Sequence, residues 1–392
     1  MRRFRALSVA GLLALTLAAP GPAPAQSTVP VQIDVILSLT GSAAFLGREE
    51  ADAIALVEKE TNRTGGIGGR PVKFSIQDDQ SSPQVALQLF NGLLERKPQV
   101  VIGSSLVAAC NAILPLLAKG PVVYCLSAGM HPPAGSYMYA YGINTEELVR
   151  VTIEYFRSRG WKRLGAIFPT DASGQDGEHG LDFTLGLRQN ADISLVAREH
   201  YANGDVSVAA QVARLKAAAP QAILVWGTGS PLGTVLHSAN DAGLDVPIGA
   251  AASNLNYKVM KQYAGFLPRD LFITTVPGVA PAAAAPGPLK TAASAYFEVV
   301  KASGTQPDAN MVVGWDSSTI VVSTLRKLGA GASAEAIRAY IANLHGWYGA
   351  AGQYDFRDGS QRGLTAKTSV VVRFDQAKGV FEPVSRIGGA PL

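Results

Sequence analysis

Apolar and polar positions alternate along the chain in one repeating unit. A short run of β-branched and aliphatic residues is followed by a turn and then by a stretch with helical spacing. The apolar runs are Val31–Leu37, Val72–Asp78, Val100–Gly103, Val122–Cys125, Leu164–Phe168, Ser194–Tyr201, Ala222–Trp226 and Pro247–Ala250. Between them the 3.6-residue period predicts helices over Gly47–Thr61, Gln84–Arg96, Ala108–Leu117, Glu147–Gly160, Gly177–Asn190, Val206–Ala218 and Leu232–Ala242. The strands are continuously apolar, as expected where both faces are covered, so the sheets should be parallel. The fold class this implies is α/β, open and doubly wound.

The rhythm breaks in two places. An extended stretch occupies Tyr137–Thr145, and the strand Leu271–Val276 runs into a segment rich in Pro, Ala and Gly. Helices then follow over Leu289–Ser303, Asn310–Leu328 and Ala334–Ala342, the last with Ser333 placed to cap it. Gly352–Arg357 and Thr368–Phe374 read as antiparallel strands. A chain crossing between two lobes three times would show breaks near residues 144, 274 and 354. The expected division is 26–143 plus 275–354 for one lobe and 144–274 plus 355–392 for the other.

The N-terminus adds a compartment. Arg2, Arg3 and Arg5 precede an apolar run, Ala6–Ala19, that is shorter than the roughly 18 residues of a membrane span. Ala23 and Ala25 complete an A-x-A signal, so residues 1–25 read as a Sec signal peptide with cleavage before Gln26. Phe4 follows Arg3 with no spacer, which argues against twin-arginine export, and no Cys marks a lipoprotein site. The mature protein is expected in the periplasm. Its charge is near neutral, since three arginines of the +4 total leave with the signal, which argues against nucleic acid as a partner. In an oxidising compartment Cys110 and Cys125 invite a disulfide, although two separately buried thiols fit the sequence equally.

Candidate chemistry is sparse. No G-x-S-x-G elbow is present, and the five histidines show no metal-ligand spacing. Asp78 and Asp79 are neighbours on a strand, where side chains point to opposite faces, so they read as a strand end. Gly227, Gly229 and Gly233 approximate a dinucleotide fingerprint, but the next strand ends Gly249-Ala250-Ala251-Ala252-Ser253 without the ribose-binding acid. No cofactor, no metal and no enzymatic activity are expected. What recurs is a set of small groups at the carboxyl ends of strands: Ser104 and Ser105, Ser127 and Gly129, Ser173 and Gly174, Thr228–Ser230, Ser253 and Asn254. Taken singly, each serine is a helix cap; together they mark the edge where ligands bind in open α/β sheets.

The chain resembles the periplasmic binding proteins of ABC importers, in the branched-chain amino acid (Leu/Ile/Val-binding) group. The likeness rests on Leu39-Thr40-Gly41 to Gly47, Asn62 to Val72, the Asp78-Asp79 pair and Gly314-Trp315-Asp316. It implies a type I fold whose two lobes close on a solute and present it to a membrane permease, the protein acting as a monomer. Carried over by position, the ligand carboxylate falls on the loop near Val107 and Ala108, with Ser127 and Gly129 as the next contacts. The family's pocket aromatics become Leu46, beside Phe45, and Ser173. Its ammonium-binding acid falls near Ala250–Ser253, where none stands. An unpaired buried ammonium would cost several kcal/mol, so an aromatic monocarboxylate is expected, with Phe45, Leu46, Met130 and Trp226 around its ring. A hydrophobic amino acid would need an acid from elsewhere, such as Glu146, Asp171 or Asp316. A sensory receptor with the same fold and an exported enzyme are the remaining alternatives.

Overall fold

The computed structural model describes residues 29–227 and 231–392. The signal-peptide reading and residues Thr228–Ser230, Gly229 included, lie outside the described residues.

The first half of the chain builds a five-stranded sheet from β1 (Val31–Leu37), β2 (Val72–Asp78), β3 (Val100–Ile102), β4 (Val122–Cys125) and β5 (Met138–Ala140). All neighbours are parallel, in the order β2-β1-β3-β4-β5. Helices α1 (Ala44–Arg63), α2 (Pro83–Leu94) and α3 (Val107–Ile113) connect the first four strands. β3 ends one residue earlier than its apolar run suggests, because Gly103 takes φ +115° and a side chain there would strike the Ile36 carbonyl. Cys110 sits inside α3 and is joined to Cys125, the last residue of β4, so the disulfide and not two separate thiols is formed.

After α4 (Thr145–Ser158), capped by Asn144, the chain builds a second sheet. Its parallel part comprises β6 (Arg163–Pro169), β7 (Ser194–Tyr201), β8 (Ala222–Val225), β9 (Ile248–Ala250) and β10 (Leu271–Thr275). Helices α5 (Ala172–Gly186), α6 (Ala209–Ala217), α7 (Pro231–Asp241) and α8 (Tyr257–Gln262) lie between these strands. The expected helix over Gly177–Asn190 begins five residues earlier. Asp171 caps it, accepting from the Gly174 amide. Ser173 and Gly174 therefore stand in its first turn. Glycines that read as loop on propensity are here required by packing: a methyl group on Gly174 would stand 1.8 Å from the Pro169 oxygen.

Helices α9 (Pro288–Ala302), α10 (Ala309–Leu328) and α11 (Ala334–Ala342) then return to the first sheet, α10 packing against α1. Ser333 caps α11, accepting from the Ala336 amide at 3.2 Å. A hairpin of β11 (His345–Tyr348) and β12 (Gln353–Asp355) follows. The chain ends on β13 (Val370–Asp375) and β14 (Val380–Pro383), which extend the second sheet antiparallel beyond β10. The second sheet's order is β14-β13-β10-β9-β8-β6-β7. Two lobes result, each doubly wound, the first on a parallel sheet and the second on a parallel sheet with an antiparallel pair at one edge. The parallel strands' carboxyl ends face a shared cavity. No described helix is long and apolar enough to cross a membrane.

Candidate ligand-binding site

The cavity between the lobes measures about 300 Å³. Its first-sheet wall comes from the start of α1, the turns after β3 and β4, and the start of α10. Leu46 and Glu50 contribute from α1, Ser105 to Ala108 after β3, and Leu126 to Gly129 after β4. Leu46 and Glu50 are one helical turn apart and share a face. Phe45 lies about 100° round the helix from Leu46 and is not on the wall, so the expected aromatic is replaced by a leucine alone. Met130 is buried below the surface of the cavity; its carbonyl accepts from the Arg362 guanidinium.

The second-sheet wall comes from the carboxyl ends of β6, β8, β9 and β10. Asp171 to Ser173 and Asp176 reach the cavity from the N-terminal part of α5, with Trp226, Ser253 and Thr275 from the other strand ends. The ring of Trp226 lies against α5: a methyl group on Gly177 would stand 2.0 Å from Cδ1. Trp226 is thus both core and wall. Asn254 points away, donating to the Gly227 carbonyl at 3.1 Å. Ser105, Ser127, Gly129, Ser173 and Ser253, together with Leu46, Val107, Ala108 and Trp226, are brought into one cavity.

Polar groups in the wall divide by whether the protein satisfies them. Leu106 provides no side-chain cap, so the first-turn amides of Val107 and Ala108 have no protein acceptor among the described residues. The hydroxyls of Tyr141 and Thr275 are buried without a partner among those residues, and both line the cavity. Burial raises the Tyr141 phenol well above its ordinary value, keeping it a neutral donor. No Lys, Arg or His side chain lies in the wall among the described residues.

Three acids are present. Asp171 accepts from Ser173 Oγ (2.8 Å), the Gly174 amide (2.9 Å) and Asn203 Nδ2. Asp176 pairs with His131 Nε2 at 2.7 Å across the lobes, while its second oxygen is buried beside Gly129 with no partner among the described residues. Glu50 accepts one hydrogen bond, from Ser105 Oγ, and burial pushes its pKa up to about 8. The absence of an acid at Ala250–Ser253 therefore does not leave the cavity without carboxyl groups; α1 and α5 supply them. Of the other acids named as ammonium partners, Glu146 is off the wall. Asp316 is buried behind it, accepting from the Ala350 and Ala351 amides (2.8 Å each) and Tyr354 (2.9 Å).

Glu50, Tyr141 and Thr275 are not singled out by the sequence. Glu50 alone carries a usable signal, its position four residues after Leu46 on the helical face that meets the ligand edge. Asp78 and Asp79 fasten turns, as strand-end residues should. Asp79 accepts from Ser38 Oγ (2.7 Å), Ser81 N (2.9 Å) and Ser104 Oγ, and Asp78 from the Leu39 and Thr40 amides. No cluster of metal-ligating side chains occurs among the described residues.

Several solved structures share this architecture. An extracellular ligand-binding receptor from Rhodopseudomonas palustris HaA2 superposes with a TM-score of 0.79 at 21% identity, over 91% of this chain and 100% of its own. The branched-chain amino acid transporter substrate-binding protein LivJ from Streptococcus pneumoniae, in complex with isoleucine, gives 0.76 at 17%, over 91% and 99%. A fatty acid ABC transporter substrate-binding protein from Thermomonospora curvata gives 0.74 at 20%, over 91% of each chain. No curated protein matches the sequence. The profile of the periplasmic binding protein family matches residues 30–379, nearly the whole described chain. On that match, the chain belongs to the periplasmic binding protein family.

Proposed function

We propose that this protein is the solute receptor of an ABC importer, capturing a small carboxylate between its lobes and delivering it to a membrane permease. The observation that carries the reading is an interlobe cavity lined by apolar side chains and by neutral donors without protein acceptors. The Val107 and Ala108 amides, with Ser127 beside them, suit an anion of modest size, and Ser105 stands between them and Glu50, to which its hydroxyl donates. Leu46, Leu126, Val276 and Trp226 offer flat apolar surface, which favours an aromatic acid such as a benzoate or phenylpropanoid derivative. The other wall contacts of this reading are Gly129, Ser173 and Ser253; Gly229, also expected there, lies outside the described residues.

With the lobes divided as 26–143 plus 275–354 and 144–274 plus 355–392, the hinge would lie where the chain passes between sheets, near residues 144 and 274. The third crossing would lie beyond the expected 354, since Gln361 still donates to the Met138 carbonyl of β5 before β13 joins the second sheet. Ligand contacts made from both walls exist only when the lobes are closed, so binding shifts the population toward that state. Export with cleavage after Ala25 agrees with the Cys110–Cys125 disulfide, which an oxidising compartment would maintain. The protein is proposed to act as a monomer, without cofactor and without turnover.

One observation favours a second ligand class. Asp171 and Asp176 place carboxylates on the wall, so a hydrophobic amino acid could find a partner for its ammonium group there. A thermal-shift screen of the mature protein against aromatic carboxylates and L-amino acids separates the two. Ligand at a hundredfold excess over Kd stabilises by about 2.7 kcal/mol, a rise of several degrees. A response to benzoate-type acids and none to leucine supports the aromatic reading, and the reverse result replaces it with the amino acid. No response to either panel overturns the carboxylate assignment.

A further inference from the structure

Glu50 is 2% exposed, yet its carboxyl group forms part of the cavity wall. Oε2 accepts from Ser105 Oγ, and Oε1 takes no protein hydrogen bond among the described residues. The groups around it are acidic or neutral. Glu49 neighbours it on α1, Asp79 stands just past the end of β2, and Asp308 and Asn310 stand at the start of α10, where Asn310 donates to Glu49 at 3.4 Å. Lys258 on α8 directs its ammonium to Glu49 at 3.9 Å. Among the described residues no cation pairs with Glu50. Desolvation first, then the Asp79 and Glu49 charges, hold its proton on up to about pH 8. With Oε2 occupied as an acceptor, that proton belongs on Oε1, the oxygen left free at the cavity.

We propose that Glu50 is a specificity-determining residue whose neutral carboxyl group donates a hydrogen bond from Oε1 to the carboxylate of the bound solute. This rests on the carboxylate reading above and adds a further donor to a wall that has no cation among the described residues. A neutral acid facing an anion makes a charge-assisted hydrogen bond; the same group ionised would repel it. The site thereby selects a monoanion that can share this proton, and its affinity depends on Glu50 staying protonated.

The test is isothermal titration calorimetry of benzoate and of L-leucine against wild type, Glu50→Gln and Glu50→Leu, from about pH 6 to about pH 9.5. For the carboxylate that binds, wild-type affinity should hold to near neutrality, then fall about tenfold per pH unit above the Glu50 pKa. Glu50→Gln keeps a neutral donor; it should bind about tenfold more tightly than Glu50→Leu at neutral pH and lack the alkaline fall. Titration of the ligand itself appears equally in Glu50→Gln and cancels in the ratio. A wild-type affinity as flat as that of Glu50→Gln overturns the inference and leaves the carboxylate reading standing. Equal binding by the two variants overturns it in the same way. Should wild type bind neither probe nor any other carboxylate of the two panels, both fail together.

Discussion

The two walls of the cavity are held in place by different means. On the first-sheet side the turns are tied down by bonds: the Cys110–Cys125 bridge joins α3 to the end of β4, and Asp79 clamps Ser38, Ser81 and Ser104. On the second-sheet side the positions are set by close approach. Gly174 lets α5 meet Pro169, and Gly177 lets it meet Trp226. Only the first wall has a covalent staple; the second has Asp171 tying Ser173, Gly174 and Asn203, but the seat of α5 on Pro169 and Trp226 depends on the absence of atoms at its glycines. The buried acids sharpen the contrast in what a link does. Asp316, with three donors, is pushed up only to about 6 by burial, while Glu50, with one, reaches about 8. At equal burial, Asp316 has more donors and Glu50 has the added charges of Asp79 and Glu49, and both differences drive Glu50 further toward its neutral form.

The largest effect should come from Glu50. Its folded-state pKa is raised from the ordinary value of 4.5 to about 8. Between those values the folded state holds a proton that the unfolded chain has released. The stability linked to that proton is complete below the ordinary value and is lost progressively as pH rises to about 8. Each pH unit in that window is worth about 1.4 kcal/mol. Glu50→Gln should be more stable than wild type at neutral pH by about 3 kcal/mol and show a flatter pH dependence in urea melts. Equal stability of the two proteins at neutral pH would mean the carboxyl is already ionised there.

Next in size is the covalent tie. The bridge closes residues 15 apart in sequence, so replacing both cysteines by alanine should cost about 3 kcal/mol through the unfolded chain's regained freedom. The loss should appear as a lower denaturation midpoint, and an unchanged midpoint would show the first wall stands without its staple. The smallest effect is on the other wall. Gly177→Ala should destabilise by about 2 kcal/mol, since helix and tryptophan must separate, and it should shift Trp226 fluorescence. If that variant is instead stabilised, as an ordinary helical Gly→Ala change would be, the close approach is not what positions the second wall.

The same contrast explains what the sequence disclosed. Parallel strands flanked by helices show as apolar runs, so β1, β2, β4 and β7 are legible to the residue, and the edge they share could be named through Ser105, Ser127 and Ser253. Elements whose identity comes from neighbours were hidden. β5 is three residues in an extended stretch, β14 ends on a proline at a sheet edge, and the start of α5 is obscured by glycines whose use lies in packing. In the site, the family's pattern falls on Leu46 with the aromatic Phe45 beside it, and which of the two faces the cavity turns on helix rotation. The chemistry of Glu50 and Tyr141 follows from what closes over them, which no local pattern states.

The return of α10 to the first lobe has a consequence for how the molecule comes into being. The guanidinium of Arg326 donates to the Gly66 carbonyl at 2.9 Å, a contact spanning 260 residues of sequence. Neither the partner helix of α1 nor that contact exists until most of the chain has been made. Contacts of such separation form late, because the loop they close must be ordered before they can reward it. A protein whose first core is finished by one of its last helices stays loose while it is synthesised. Under the Sec export proposed above, which would thread the chain through a membrane before folding, that delay would be an advantage.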